Sequence, residues 1–177
     1  MKRISLDGIQ LEITQGDIVQ QPDVDVIVNA ANAYLKLGGG VAGAIHRAAG
    51  PELEQECQQY APIKPGEAVI TKGYRLPNPY VIHVLGPVYG QDKPEDTLLA
   101  SCYCHALLLA DEKGLRNIAF PAISTGAFGY PLQEAAQVAL QAVRETVAQL
   151  KNVSLIRFVL FDKTAIDAFE HALEDIA

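Results

Sequence analysis

Apolar and polar residues alternate along the first stretch of the chain, with Ile4 and Leu6 followed by Ile9, Leu11 and Ile13. A period of two predicts strands, and Asp7-Gly8 between the two runs predicts the tight turn of a hairpin. Val24 to Val28 is a β-branched run that predicts a third strand, ending in Asn29-Ala30-Ala31-Asn32. After three glycines, the small apolar residues from Val41 to Ala49 predict a closely packed helix, and Pro51 to Tyr60 a further short one. Ala68 to Gly73 and Tyr80 to Leu85 read as strands. Leu98, Leu99, Cys102, Ala106 and Leu109 recur at helical spacing within Glu95 to Lys113. Ile118 to Ile123 has the composition of a buried strand. Leu132, Ala135, Ala136, Ala139, Leu140, Val143 and Val147 then trace the inner face of a long helix. Leu155 to Phe161 is the last predicted strand and Ile166 to Leu173 the closing helix.

Strands that first pair locally and then alternate with helices predict a three-layer α/β/α sandwich around a mixed, mostly parallel sheet. The 177 residues suit one domain, 1–177, and no repeat or linker divides them. Ligands in such sheets sit at the carboxyl ends of the strands, where this chain places its unusual residues.

Composition narrows the function. The net charge is −7 and the pI about 5.0, which argues against duplex nucleic acid as a partner. A small anion remains compatible, because backbone N–H groups at helix starts hold phosphate without basic side chains. No apolar run approaches the ~20 residues that span a bilayer, and no signal-peptide core follows Met1, so no membrane partner is expected and a cytoplasmic protein is. Cys57, Cys102 and Cys104 give an odd cysteine count without a disulfide pattern. Cys102, Cys104 and His105 lie within a helical pattern and are expected to be buried helix residues, not metal ligands. No motif requires a metal or a cofactor.

Two glycine-bearing segments carry the chemistry. Gly38-Gly39-Gly40-Val41-Ala42-Gly43 has the spacing of a dinucleotide fingerprint, but Asn29 to Leu37 separate it from the preceding strand. It lacks the Lys-Ser or Lys-Thr of a P-loop. What remains is backbone able to approach a ligand closely at the start of a helix. Ile123-Ser124-Thr125-Gly126-Ala127-Phe128-Gly129-Tyr130-Pro131 also joins a strand to a helix, with Pro131 suited to its first turn. Either segment alone fits an ordinary tight turn. Together they can grip both sides of a diphosphate.

Val28 to Asn32, Gly38 to Gly43 and Ile123 to Gly129, in this order and spacing, resemble the motifs of the macro domain family. Gly16-Asp17-Ile18, Val81-Ile82-His83 and Gly86-Pro87 fit the same pattern, and Val159 to Lys163 is similar to the last strand and loop of viral macro domains. The resemblance covers nearly the whole chain. It implies binding of ADP-ribose, free or attached to protein, or of O-acetyl-ADP-ribose. Asp17 would accept the adenine amino group, with Ile18 beside it; the competing reading of Asp17 is a helix N-cap. Phe161 would lie on the adenine face or be a core aromatic, and Asp162 would contact the ribose or cap the last helix. Ala30 would line the pocket, and Asn32 would bind the distal ribose. Gly38, Gly39, Gly40 and Val41 on one side, with Ser124, Thr125, Gly126, Ala127 and Phe128 on the other, would hold the diphosphate. Phe128 would also cover the distal ribose. Asn29 is open between ligand and structural roles, His46 faces either way, and His83 reads as a core histidine.

The resemblance further implies either hydrolysis of ADP-ribosyl esters or a reader of ADP-ribose or poly(ADP-ribose). Asn32, Gly126 and Phe128 are the candidates for a catalytic role. Deacetylase-type hydrolases usually carry Asp after Gly-Gly-Gly-Val, where this chain has Ala42. Viral members usually have His before the glycines, where this chain has Leu37. A modest hydrolase is the favoured expectation, with removal of mono-ADP-ribose or deacetylation of O-acetyl-ADP-ribose as its reaction. A polyanion such as poly(A) would instead bind with steep salt dependence.

Overall fold

The computed structural model describes residues 1–177. Strands β1 (Lys2–Leu6) and β2 (Ile9–Gln15) form the antiparallel hairpin, and Asp7 and Gly8 turn it with φ of 51° and 80°. Both values are positive, as the type I′ turn that matches strand twist requires. Then follow β3 (Val26–Ala30), α1 (Gly40–Ala49), α2 (Pro51–Cys57), β4 (Ala68–Lys72) and β5 (Tyr80–Val84). The chain closes with α3 (Glu95–Glu112), β6 (Asn117–Phe120), α4 (Leu132–Val147), β7 (Leu155–Leu160) and α5 (Lys163–Ile176).

The seven strands lie in the order β1-β2-β7-β6-β3-β5-β4. The five central strands run parallel, and β1 and β4 are antiparallel edges. Helices α3, α4 and α5 cover one face, where Tyr103, Phe120, Phe158 and Phe169 pack as an aromatic cluster. Helices α1 and α2 cover the other around Ile27, Ile45, Leu53 and Val81. The expected three-layer architecture with a mixed, mostly parallel sheet is the observed one. No helix is long and apolar enough to cross a membrane.

Several expected boundaries move. β3 lies two residues later than expected, so Asn29 belongs to the strand, directly opposite His83 of β5. Strand β6 stops at Phe120, and Pro121 to Ile123 already form the loop. Helix α2 ends at Cys57 and continues only as a turn to Tyr60. Pro131 is the residue before the first helical position of α4. In the α3 triplet only Cys102 is fully buried; Cys104 is half-buried and His105 exposed, its Nδ1 2.8 Å from the Gly66 carbonyl. Helical spacing puts neighbours on different faces, so all three cannot point inward. His, Cys, Asp and Glu nowhere form a group of three placed to hold a metal ion.

A polar network seals β2 and β7. Arg157 donates from Nε to Glu12 and from its two terminal nitrogens to Asp23 at 2.8 Å, and Arg3 also pairs with Glu12. The guanidinium beside Asp23 holds that carboxyl below its ordinary value.

Candidate functional site

In a parallel sheet every connection begins at the same edge. Here the carboxyl ends of β2, β7, β6, β3 and β5 lie side by side along one rim. The loops that leave them carry, in that order, Asp17, Phe161, Ser124 to Phe128, Asn32 to Gly39, and Gly86. Residues far apart in the chain thereby become neighbours: Gln15 Nε2 donates to the Phe161 carbonyl across 146 positions.

A cleft of about 300 Å³ opens between the loops after β3 and β6. Its wall includes Ala30, Asn32, Gly38, Gly39, Gly40 and Val41 on one side, and Ser124, Gly126, Ala127 and Phe128 on the other. No charged side chain lines it. What it offers is backbone. Gly38 to Ala42 and Gly126 to Phe128 have N–H groups that no acceptor of the protein engages. On the first side this follows from helix geometry, since the opening N–H groups of α1 have no partner a turn earlier and no capping side chain supplies one. The positive end of the α1 dipole adds to the preference for an anion.

The second loop is held by its own bonds. Ser124 has a φ of 68°, which a side chain adopts only under strain, and its Oγ donates to the Pro87 carbonyl at 2.8 Å. Tyr89 N donates to Phe128 O at 2.9 Å and Tyr130 N to Ser124 O. Behind it the buried Tyr103 hydroxyl accepts from Ile123 N at 3.1 Å, tying the loop to the aromatic cluster. Burial in that cluster pushes the Tyr103 phenol above its ordinary pKa.

Close approach at two glycines packs the loops around the cleft. A Cβ on Gly43 would overlap the Gly38 carbonyl, and one on Gly86 would overlap Ser124 Oγ. Gly86, Ala31, Ala42, Ala122 and Ile123 also line the cleft. Ala31, Ala42 and Ile123 belong to the motif segments, whereas Gly86 and Ala122 lie outside both loops and carry no side-chain chemistry that signals a part in the wall.

Other expected residues stand elsewhere. Thr125 is outside the wall, its Oγ1 bonded back to Ala122 O at 2.9 Å. Asp17 and Ile18 occupy the loop after β2, and Phe161 and Asp162 the loop after β7, at the end of the rim beyond the cleft wall. Asp17 precedes a turn and not a helix; its Oδ1 accepts from Val19 N at 3.1 Å. Phe161 is 88% exposed, which removes the core-aromatic reading. Asp162 caps α5, accepting from Ala165 N at 2.9 Å. Asn32 spends half its hydrogen-bonding capacity locally: Oδ1 accepts from Lys36 N at 3.0 Å and Nδ2 donates to Lys36 O at 2.8 Å. One donor and one acceptor position remain for a ligand.

Beneath the cleft lies a buried polar group. Asn29 donates to His83 Nδ1 at 3.0 Å, so a neutral His83 carries its proton on Nε2, 3.0 Å from Thr71 Oγ1. Asn29 therefore holds a neighbouring strand through its side chain. Burial, reinforced by His46, lowers the His83 pKa to about 3. His46 is itself buried with its ring 6.3 Å from that of His83, which resolves its orientation inward.

A mixed, mostly parallel sheet covered on both faces, with an uncharged cleft across the carboxyl ends of its central strands, defines a three-layer α/β domain. Comparison with known proteins refines the class. The family model described as Macro domain matches residues 28–139. A macro domain-containing protein of Chlorobaculum tepidum is 48% identical over 168 residues, covering 94% of this chain and 97% of that protein. One from Methanosarcina mazei is 47% identical, covering 98% and 93%. A mutant Oceanobacillus iheyensis macrodomain solved with ADPR superimposes with a TM-score of 0.93 at 40% identity, covering 98% and 97% of the two chains. The Trypanosoma brucei macrodomain in complex with ADP-ribose gives 0.85 at 38% identity, covering 92% of this chain and 68% of that one. The chain belongs to the macro domain family.

Proposed function

We propose that the cleft binds ADP-ribose and that the protein hydrolyses ADP-ribosyl esters slowly. The observation that carries the binding is the pair of facing loops whose N–H groups, Gly38 to Ala42 and Gly126 to Phe128, lack acceptors in the protein. A diphosphate supplies acceptors to both rows at once, and hydrogen bonds to a charged oxygen are stronger than neutral ones. The order of loops along the rim then gives the ligand its direction. Adenine would lie toward Asp17 and Phe161, and the distal ribose toward Asn32, Gly38 and Phe128. Structures of the Oceanobacillus and Trypanosoma macrodomains with ADPR and ADP-ribose support the ligand class.

For hydrolysis, water attacks the anomeric carbon of the distal ribose, the bond to the ester oxygen breaks, and the carboxylate leaves. The water's proton passes to the substrate's own phosphate. Asn32 orients the ribose, Phe128 covers it, and the Gly126 to Phe128 amides keep the charge in place. In deacetylation of O-acetyl-ADP-ribose the same water would attack the acetyl carbonyl carbon instead, the acyl–oxygen bond would break, and acetate and the free ribose hydroxyl would leave. Ala42 and Leu37 provide no general base, whose absence costs about 10²–10⁴ in rate. Those two residues favour the second reading, a reader that binds ADP-ribose without turnover.

The test is release of free ADP-ribose from a glutamate-linked, mono-ADP-ribosylated protein, comparing the native chain with Asn32→Ala. Release that the substitution abolishes identifies a hydrolase. Absence of release, with ADP-ribose still bound at micromolar affinity, identifies the reader. Absence of both refutes the proposal.

A further inference from the structure

The segment between Ala31 and Gly38 has no regular secondary structure, yet it is fixed at every second or third residue. Ile63 N donates to Ala33 O at 2.9 Å, and Leu35 N to Asn32 O at 3.1 Å. Leu35 is fully buried although its φ is 56°. Asn32 closes the loop on Lys36 through both ends of its carboxamide. The last hold before the glycines is different in kind. Leu37 N donates to Glu54 Oε1 at 3.1 Å, across 17 positions and from another element.

Glu54 stands on α2, whose Leu53 and Cys57 are buried against the sheet. It is thus carried by packed structure, whereas Gly38, Gly39 and Gly40 have little conformational preference of their own. The Leu37 side chain is 55% exposed and anchors nothing. Without the carboxylate, the chain between Lys36 and the start of α1 would be held by no side chain of a neighbouring element. Both residues that flank Leu37 within the cleft wall, Asn32 and Gly38, lie at the distal-ribose end. Gly38 also packs on Asn32: a Cβ there would meet Asn32 Nδ2 at 3.1 Å.

We infer that Glu54 is a positioning residue for the distal ribose: it acts through the Leu37 N–H to fix the backbone on which Asn32 and Gly38 meet that sugar. The inference rests on the ADP-ribose reading of the cleft. Its consequence is selective. ADP lacks the distal ribose but keeps the phosphates that Gly39 to Ala42 and Gly126 to Phe128 hold, so Glu54 contributes more to the affinity for ADP-ribose than to that for ADP.

The experiment is calorimetry with ADP-ribose and with ADP on the native chain, Glu54→Ala, Glu54→Gln and Glu56→Ala, each with its thermal unfolding midpoint. Glu56 serves as the control for charge and for α2, because its carboxylate holds Lys72 N and Tyr74 Oη on the far side. Glu54→Ala should lower the ADP-ribose to ADP affinity ratio by about tenfold, the scale of one charge-assisted hydrogen bond. Glu54→Gln keeps an acceptor at the same reach and should restore most of that ratio, and Glu56→Ala should leave it unchanged. A ratio unaffected by Glu54→Ala, or equal weakening of both ligands, overturns the inference while leaving the ADP-ribose reading intact. A native chain that binds neither ligand overturns the reading itself.

Discussion

Gly126→Val tests the cleft most sharply, because the structure separates its effect on binding from its effect on folding. A Cβ on Gly126 meets no heavy atom within 4 Å, and the residue's φ is not positive, so a β-branched side chain fits the backbone. The added methyl groups have only the cleft to enter, a space of about 300 Å³ that the diphosphate must share. If the ligand is pushed off two of the Gly126 to Phe128 amides, the loss is about 1.5–3 kcal/mol for each charge-assisted bond. Two such bonds correspond to roughly 10²–10⁴ in affinity. Folding should be unaffected, or favoured by about 0.5 kcal/mol through a less flexible unfolded chain. Calorimetry with ADP-ribose and urea denaturation measure the two halves separately. Unchanged affinity in a folded variant refutes the placement of the diphosphate, and a large loss of stability refutes the claim that the position is open.

Three further outcomes are expected. Asp17→Ala should weaken ADP-ribose about tenfold, as loss of one hydrogen bond to a charged group does, and erase preference for ADP over GDP; retained preference in competition binding moves adenine recognition elsewhere. Ala42→Asp places a carboxylate in the cleft wall at the first turn of α1; release of ADP-ribose should rise by about 10² if a missing base limits the rate, and a flat rate rejects that account. His83 is neutral in the fold because burial lowers its pKa from 6.5 to about 3. The unfolded chain takes up a proton below pH 6.5 that the native one refuses, so this contribution to stability is intact above pH 6.5 and lost as pH falls toward 3. Urea titrations should show a loss of about 1.4 kcal/mol per pH unit for this group within that window, and a slope that His83→Gln leaves unaltered would assign the effect to other groups.

Much of this architecture is legible in the chain itself, wherever the determinant is local. Period-two alternation and Asp7-Gly8 specify the hairpin, because side-chain direction and turn geometry depend on adjacent residues. The inner face of α4 is written at helical spacing from Leu132 to Val147 for the same reason. Gly38 to Gly43 and Ser124 to Gly129 each fit an ordinary turn, and only as a pair, each leading into a helix, do they point to a phosphate site.

What the sequence leaves open depends on which strands become neighbours. Strand β7 lies between β2 and β6, and only that order sets the loop after Leu160 beside the loop after Gln15. By sequence Asn29 suits ligand and scaffold equally; strand pairing puts it opposite His83, to which its amide nitrogen donates, while its Oδ1 stays buried without a partner. Asp162 divides its readings in the same way, and the start of α5 uses its carboxylate. Gly86 and Glu54 give no local sign of their part, because a missing side chain and a surface carboxylate acquire meaning only from what packs against them. The chain's local chemistry thus determined the elements and the two glycine loops. The tertiary structure decided that the two rows of unpaired N–H groups face each other across one cleft, because only strand order brings the loops after β3 and β6 side by side.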